Sequence, residues 1–253
     1  MKSIKILTIT AAITILALSS FTYKRNIKPT DADKGFAVIE LFTSEGCSSC
    51  PPADAVVAKI EKESAGKPIY ILAFHVDYWN RLGWKDGFSS AAYSQRQNQY
   101  ARWLNLSSVY TPQIVVNGRT EFVGSEEGTL RNAIKTNLAK NALAQVSLSD
   151  VKINQNKAEI QYQTQGKITN SVLLLAIVQK SATTKVQRGE NEGRTLSHVQ
   201  IVREIESVSL NNDKGSAIIE LPKGFDPQGS EIIAFVQNIS NGEITGATKS
   251  AFN

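Results

Sequence analysis

Cys47 and Cys50 are the only cysteines in this 253-residue chain, and they stand three positions apart. A bond between them closes a ring too small to tie distant segments together, so the fold has to come from an ordinary core. The composition allows one, with 42% hydrophobic and 20% charged residues, as in typical globular proteins. The length suits one or two domains. The pair is left free for redox or metal chemistry.

The segment around the pair points to redox chemistry. The run 36–43, FAVIELFT, reads as a buried strand, and Ser44, Glu45 and Gly46 break it. From Ser49 the pattern turns helical: Pro51 and Pro52 suit a first turn, and Ala53, Val56, Val57 and Ile60 recur at helical spacing. Cys47 is therefore expected at a helix N-terminus, where free N–H groups and the helix dipole favour a thiolate. This makes Cys47 the expected nucleophile and Cys50 the resolving thiol. Other readings remain. A zinc site needs four ligands, and the only histidines are His75 and His198. A soft ion such as copper(I) suits two thiolates. A permanently oxidised clamp is a third reading. No metal site is assigned.

The expected element order continues with a strand over 68–76, a loop over 77–87, a helix from 89 or 90 to about 104 and a strand over 111–116. Asn117-Gly118 signals a hairpin with a return strand over 119–123, and a helix follows over 125–141. Beyond residue 143 short strands predominate, at 146–148, 158–163, 172–178, 199–205, 216–221 and 231–237, with turn signals between them. The expected fold class is thus an α/β domain over 36–143, a mixed sheet flanked by helices, followed by an all-β sandwich-like domain over 144–253.

Residues 1–23 read as a targeting segment. Lys2 and Lys5 precede the apolar stretch 6–18, and Ala17 and Ser19 offer small residues for cleavage. Extended to Tyr23, the stretch is long enough for an uncleaved anchor; residues 24–35 follow as a linker. Cleaved export to a periplasmic or secreted location is the favoured expectation, with membrane contact only if the segment stays attached. Export places the pair in an oxidising compartment. The net charge of +5 is spread without a dense basic run, so no nucleic-acid partner is expected.

The phrase 40–54, ELFTSEGCSSCPPAD, together with 75–79, HVDYW, and 110–113, YTPQ, resembles an exported bacterial thioredoxin-like family, catalogued as domain of unknown function 1223. The resemblance covers nearly all of the chain after the targeting segment. It implies a thioredoxin fold over about 36–141, with a cis Thr111–Pro112 bond facing the cysteines and offering the Thr111 backbone to an extended substrate. Ser48 and Ser49 depart from the usual Gly-Pro between thioredoxin cysteines, and no Trp precedes Cys47, so the direction of redox chemistry is not implied.

The functional expectation is a thiol–disulfide oxidoreductase of the cell envelope, acting on protein or small thiols. It would need no dissociable cofactor, and a redox partner would recycle the pair. The competing expectation is a non-catalytic binding module, with the pair holding a soft metal or clamping a loop. His75 and Asp77, at the end of a strand, and Glu45, before the nucleophile, are candidate tuning residues. The loop 189–193, GENEG, leads to His198 and Arg203. It reads as a tight connection that packs against the redox domain and shapes its cleft.

Overall fold

The structure, a computed structural model, describes residues 34–252. The targeting segment expected at 1–23 and nearly all of the linker lie outside the described residues. Among the described residues no helix is long and apolar enough to cross a membrane.

Strand β1 (Ala37–Thr43) is buried along its whole length, which is what its continuous apolar run requires. Helix α1 (Pro51–Glu63) carries the chain to β2 (Ile69–His75), which lies parallel to β1 from Ala37↔Ile69 to Thr43↔His75. Helix α2 (Ala91–Trp103) begins at Ser90, whose hydroxyl accepts the Ala92 N–H. Strands β3 (Gln113–Val116) and β4 (Thr120–Val123) form the expected hairpin, with Asn117 and Gly118 both at positive φ, 47° and 66°. Helix α3 (Glu127–Leu138) follows. The remaining strands are β5 (Ala144–Asn154), β6 (Lys157–Gly166), β7 (Ser171–Lys185), β8 (Thr195–Ser209), β9 (Lys214–Glu220), β10 (Ser230–Asn238) and β11 (Ile244–Ala251).

The pairing of these strands corrects the expected fold class. There is no thioredoxin-like domain followed by a separate β-sandwich. A single eight-stranded mixed sheet runs β11-β10-β7-β8-β2-β1-β3-β4, so strands from both sides of residue 143 share it. The junction is the parallel contact of β2 with β8 at Ala73↔Ile201. A smaller sheet, β5-β6-β9, completes the strands. The reason for the miss is physical. Hydrophobic period shows that β2 is covered on both faces, but carries no information about which strand occupies its edge.

The core follows from that sheet. Alternate residues of a strand point to opposite faces, and β7 sends Leu174, Ala176 and Val178 to one core and Leu173, Leu175 and Ile177 to another. The first core also holds Val38, Phe42, Phe74, Tyr93 and Tyr100, so both halves of the chain contribute to it. The opposite face of β1 packs Ile39 and Leu41 against Val57 and Ile60 of α1 and Leu130 and Ile134 of α3. Across the first core, Arg96 of α2 donates to Glu40 of β1 at 2.5 and 2.9 Å and to Gln237 of β10 at 3.1 Å. Tyr100 also donates to Glu40, and Arg96 lies 5.4 and 5.5 Å above the Phe74 and Phe235 rings.

Candidate functional site

Between β1 and α1 the chain turns sharply, with Cys47 N–H donating to Ser44 O and Cys50 N–H to Cys47 O. Gly46 packs closely on Trp79: a Cβ there would lie 3.2 Å from Trp79 Cβ. Cys47 and Cys50 form a disulfide at the nose of α1, with Cα atoms 5.4 Å apart. Both cysteines are 0% exposed, whereas Ser48 and Ser49 between them face solvent.

The Thr111–Pro112 bond is cis. The Thr111 hydroxyl donates to Cys47 Sγ at 3.4 Å and accepts from Trp79 Nε1 at 2.8 Å. A second layer holds this segment. Gln97 Nε2 donates to Tyr110 O at 2.7 Å and to Gln113 Oε1 at 2.9 Å, and Tyr110 donates to Glu121 Oε2 at 2.6 Å.

Behind the cysteines is a buried cluster of ionisable groups that contains both histidines of the chain. His75 Nδ1 lies 2.6 Å from Asp86 Oδ2. The His75 and His198 rings meet edge to face at 4.9 Å, and Phe88 packs on both. His198 Nε2 lies 3.5 Å from Glu45 Oε1, and His198 Nδ1 lies 3.7 Å from Asp54 Oδ2. Those separations are too long for hydrogen bonds. They leave Glu45 Oε1, His75 Nε2 and both His198 nitrogens buried without a hydrogen-bond partner. Asp86 also accepts the Glu45 N–H at 2.9 Å, and Trp84 Nε1 donates to Glu45 Oε2 at 2.7 Å. Among the described residues, no group of three or more His, Cys, Asp and Glu is arranged to hold a metal ion.

The protonation of the cluster follows from its burial. Burial pushes the Asp54 carboxyl up to about 6, against the pull of His198 and His75. For His75, burial opposes the charge, but the adjacent Asp86 carboxylate outweighs it and raises the imidazolium pKa. For Asp86, burial opposes ionisation, and His75 with the Glu45 and Phe88 N–H donors holds the carboxyl below its usual value.

The last wall comes from the loop joining β7 to β8. Asn191, fully buried, donates from Nδ2 to Glu45 O and to Cys47 O, each at 2.9 Å. Glu190 Oε2 accepts the Ser48 N–H at 3.0 Å.

The candidates from sequence thus divide. Cys47, Cys50, Thr111 and Pro112 meet at the turn, and Glu45 and His75 belong to the cluster behind it. Asp77 sits elsewhere: its Oδ1 accepts from Ser94 of α2 at 2.5 Å. His198, to which the 189–193 loop leads, stands between Glu45 and Asp54. Asp54, Trp79, Trp84 and Asp86 are not among the sequence candidates, and Glu190 and Asn191 enter there only as part of a loop that packs against the redox domain. Asp54 and Trp79 lay inside the quoted motifs. Asn191, 144 residues from Cys47, carries no local signal of the contact.

Known proteins place this arrangement in context. A protein of Agrobacterium tumefaciens, solved by a structural genomics consortium, shares the fold with a TM-score of 0.67 and 27% identity, over 89% of this chain and 97% of its own. HBP35 of Porphyromonas gingivalis does so with a TM-score of 0.65 and 18% identity, over 88% of this chain and 77% of its own. Both likenesses span residues on both sides of residue 143. No curated protein matches the sequence. The family described as "Protein of unknown function (DUF1223)" matches residues 38–237, and the chain belongs to that family.

Proposed function

We propose that this chain is an exported thiol–disulfide oxidoreductase of the cell envelope. In its oxidising direction a partner thiolate attacks Cys47 Sγ. The Cys47–Cys50 bond breaks as a mixed disulfide forms, and Cys50 leaves as a thiolate that takes up a proton. A second partner thiol then displaces Cys47 and carries away the disulfide. The reducing direction runs the same steps backwards. Electrons pass to or from a thiol protein, with no dissociable cofactor. Thr111 and Pro112 position the partner chain, and the buried His75 and Glu45 tune the pair from behind the turn.

The observation that carries this reading is the disulfide at the nose of α1 with the Thr111 hydroxyl 3.4 Å from Cys47 Sγ. A helix N-terminus favours the thiolate that exchange requires. One observation favours the rival reading of an inert clamp in a binding module: neither cysteine is exposed, so exchange requires the cover over Cys47 to move.

Equilibrating the full chain in glutathione and dithiothreitol buffers separates the two. A reversible couple near about −120 mV identifies an oxidant, and one near about −270 mV a reductant. A pair that will not titrate reversibly leaves the clamp. With a working pair, Cys50→Ser accumulates mixed disulfides at Cys47, detected by mass spectrometry.

A further inference from the structure

The β7–β8 loop is a strap laid across the cysteine turn. It is closed on itself: Val186 N–H donates to Arg194 O and Gly193 N–H to Val186 O, both at 2.9 Å. Two of its side chains reach the turn. Asn191 bridges the Glu45 and Cys47 carbonyls, and its own Oδ1 is held by Arg194 Nη1 at 2.8 Å. Glu190, on the exposed side, accepts the N–H of Ser48, the residue after Cys47. Its carboxyl is held below the usual value by the Ser48 side chain and then by the Ser48 amide.

That contact seats the Glu190 carboxylate on the residue next to Cys47. In the disulfide form Cys47 carries no charge to oppose it. Reduction by a dithiol breaks the S–S bond, forms a disulfide in the reductant and delivers two electrons and two protons to Cys47 and Cys50. When Cys47 then loses its proton, its thiolate and the Glu190 carboxylate on the neighbouring residue are like charges that repel at the helix nose. The other groups facing Cys47 do not relieve this. Arg194 is engaged by Asn191, the Glu45 carboxylate is turned to Trp84, and Ser49 and Thr111 each offer one neutral hydroxyl at 3.4 Å from Cys47 Sγ. Glu190 therefore favours the disulfide over the thiolate. Coupling of this kind is reciprocal, so the disulfide must favour the latched strap to the same extent.

We propose that Glu190 is a redox-positioning residue: it stabilises the Cys47–Cys50 disulfide, and reduction in turn loosens the 188–194 strap and uncovers Cys47 for its partner. This rests on the oxidoreductase reading, because an inert clamp has no reduced state to couple to.

The test compares the full chain with E190Q, an exposed and nearly isosteric change, and with E192Q as a control on the same loop. The equilibrium constant against dithiothreitol at neutral pH is read by alkylation and mass shift. E190Q should move it about three- to tenfold toward the dithiol, tenfold being about 30 mV for a two-electron couple, and E192Q less than twofold. Hydrogen exchange gives a readout that a merely structural role would not move. Amides of the strap should exchange faster in the reduced protein than in the oxidised one, and E190Q should narrow that gap. An unshifted constant in E190Q, or equal exchange in both redox states, overturns the proposal while leaving the oxidoreductase reading intact. A wild-type pair that does not titrate reversibly overturns both.

Discussion

Asp54 lies one turn into α1 from Cys50, and its N–H donates to Cys50 O. Because burial raises its carboxyl to about 6, the folded state holds the proton more tightly than the unfolded chain, where a carboxyl titrates near about 4. Stability from this group therefore falls as pH rises between those values. His75 acts in the same direction: its pKa is raised, so its contribution is complete below about 6.5 and is lost as pH rises through the folded value. Asp86 is held low, so its contribution is lost only in acid. The melting temperature of the oxidised protein should thus fall as pH rises from about 4 to about 6 and fall further above about 6.5, and Asp54→Asn should shrink the first of these falls. A flat or rising profile by circular dichroism would contradict these assignments. Asp86→Asn strands His75 and weakens the acceptor for Glu45 N–H, and urea unfolding should show a loss of about 3–5 kcal/mol, typical of a broken buried pair. At this scale the sequence exposed the cysteines, Thr111 and Pro112 because they are local motifs. It hid Asp86 and the carbonyls that Asn191 bridges, contacts that exist only across a turn or between distant strands.

The elements show why two halves with different textures become one sheet. The helices and the β3–β4 hairpin were legible because caps, prolines and Asn117-Gly118 act within a few residues. β7 and β8 run to 15 residues each, about twice what the apolar runs 172–178 and 199–205 indicate. Their outer portions alternate weakly and are held by pairing with each other, from Ser181↔Val199 to Lys185↔Thr195. It is this extension that carries the strap to the cysteine turn. β11 gave no strand signal; its Thr, Gly, Ala and Lys residues become a strand because β10 offers it an edge. Helix α2 joins these parts through Arg96, which links β1 to β10. Arg96→Ala leaves Glu40 buried with the Tyr100 hydroxyl but no cation and should cost about 3–5 kcal/mol in urea unfolding. Replacing both residues, as Glu40→Leu with Arg96→Met, should recover much of that loss. Equal losses in the single and double variants would show that packing, not the ion pair, dominates.

For the whole molecule, one core draws residues from both sides of residue 143, so calorimetry of the full chain should give a single cooperative transition. Residues 34–143 expressed alone would expose the β2 edge and the Phe74 face and should fail to fold cooperatively; two separate transitions, or a folded fragment, would restore the two-domain view. The sequence by itself determined the nature and order of most elements, the position of the cysteine pair and its family. Period, capping and motif spacing are properties of neighbouring residues, and they suffice for that. Only the tertiary structure decided that β8 takes the edge of β2, that both histidines meet behind the cysteines, and that Glu190 and Asn191 close over Cys47. Those contacts join segments more than a hundred residues apart. Which distant strands share an edge depends on how the whole chain buries its apolar faces at once, and no local pattern records it.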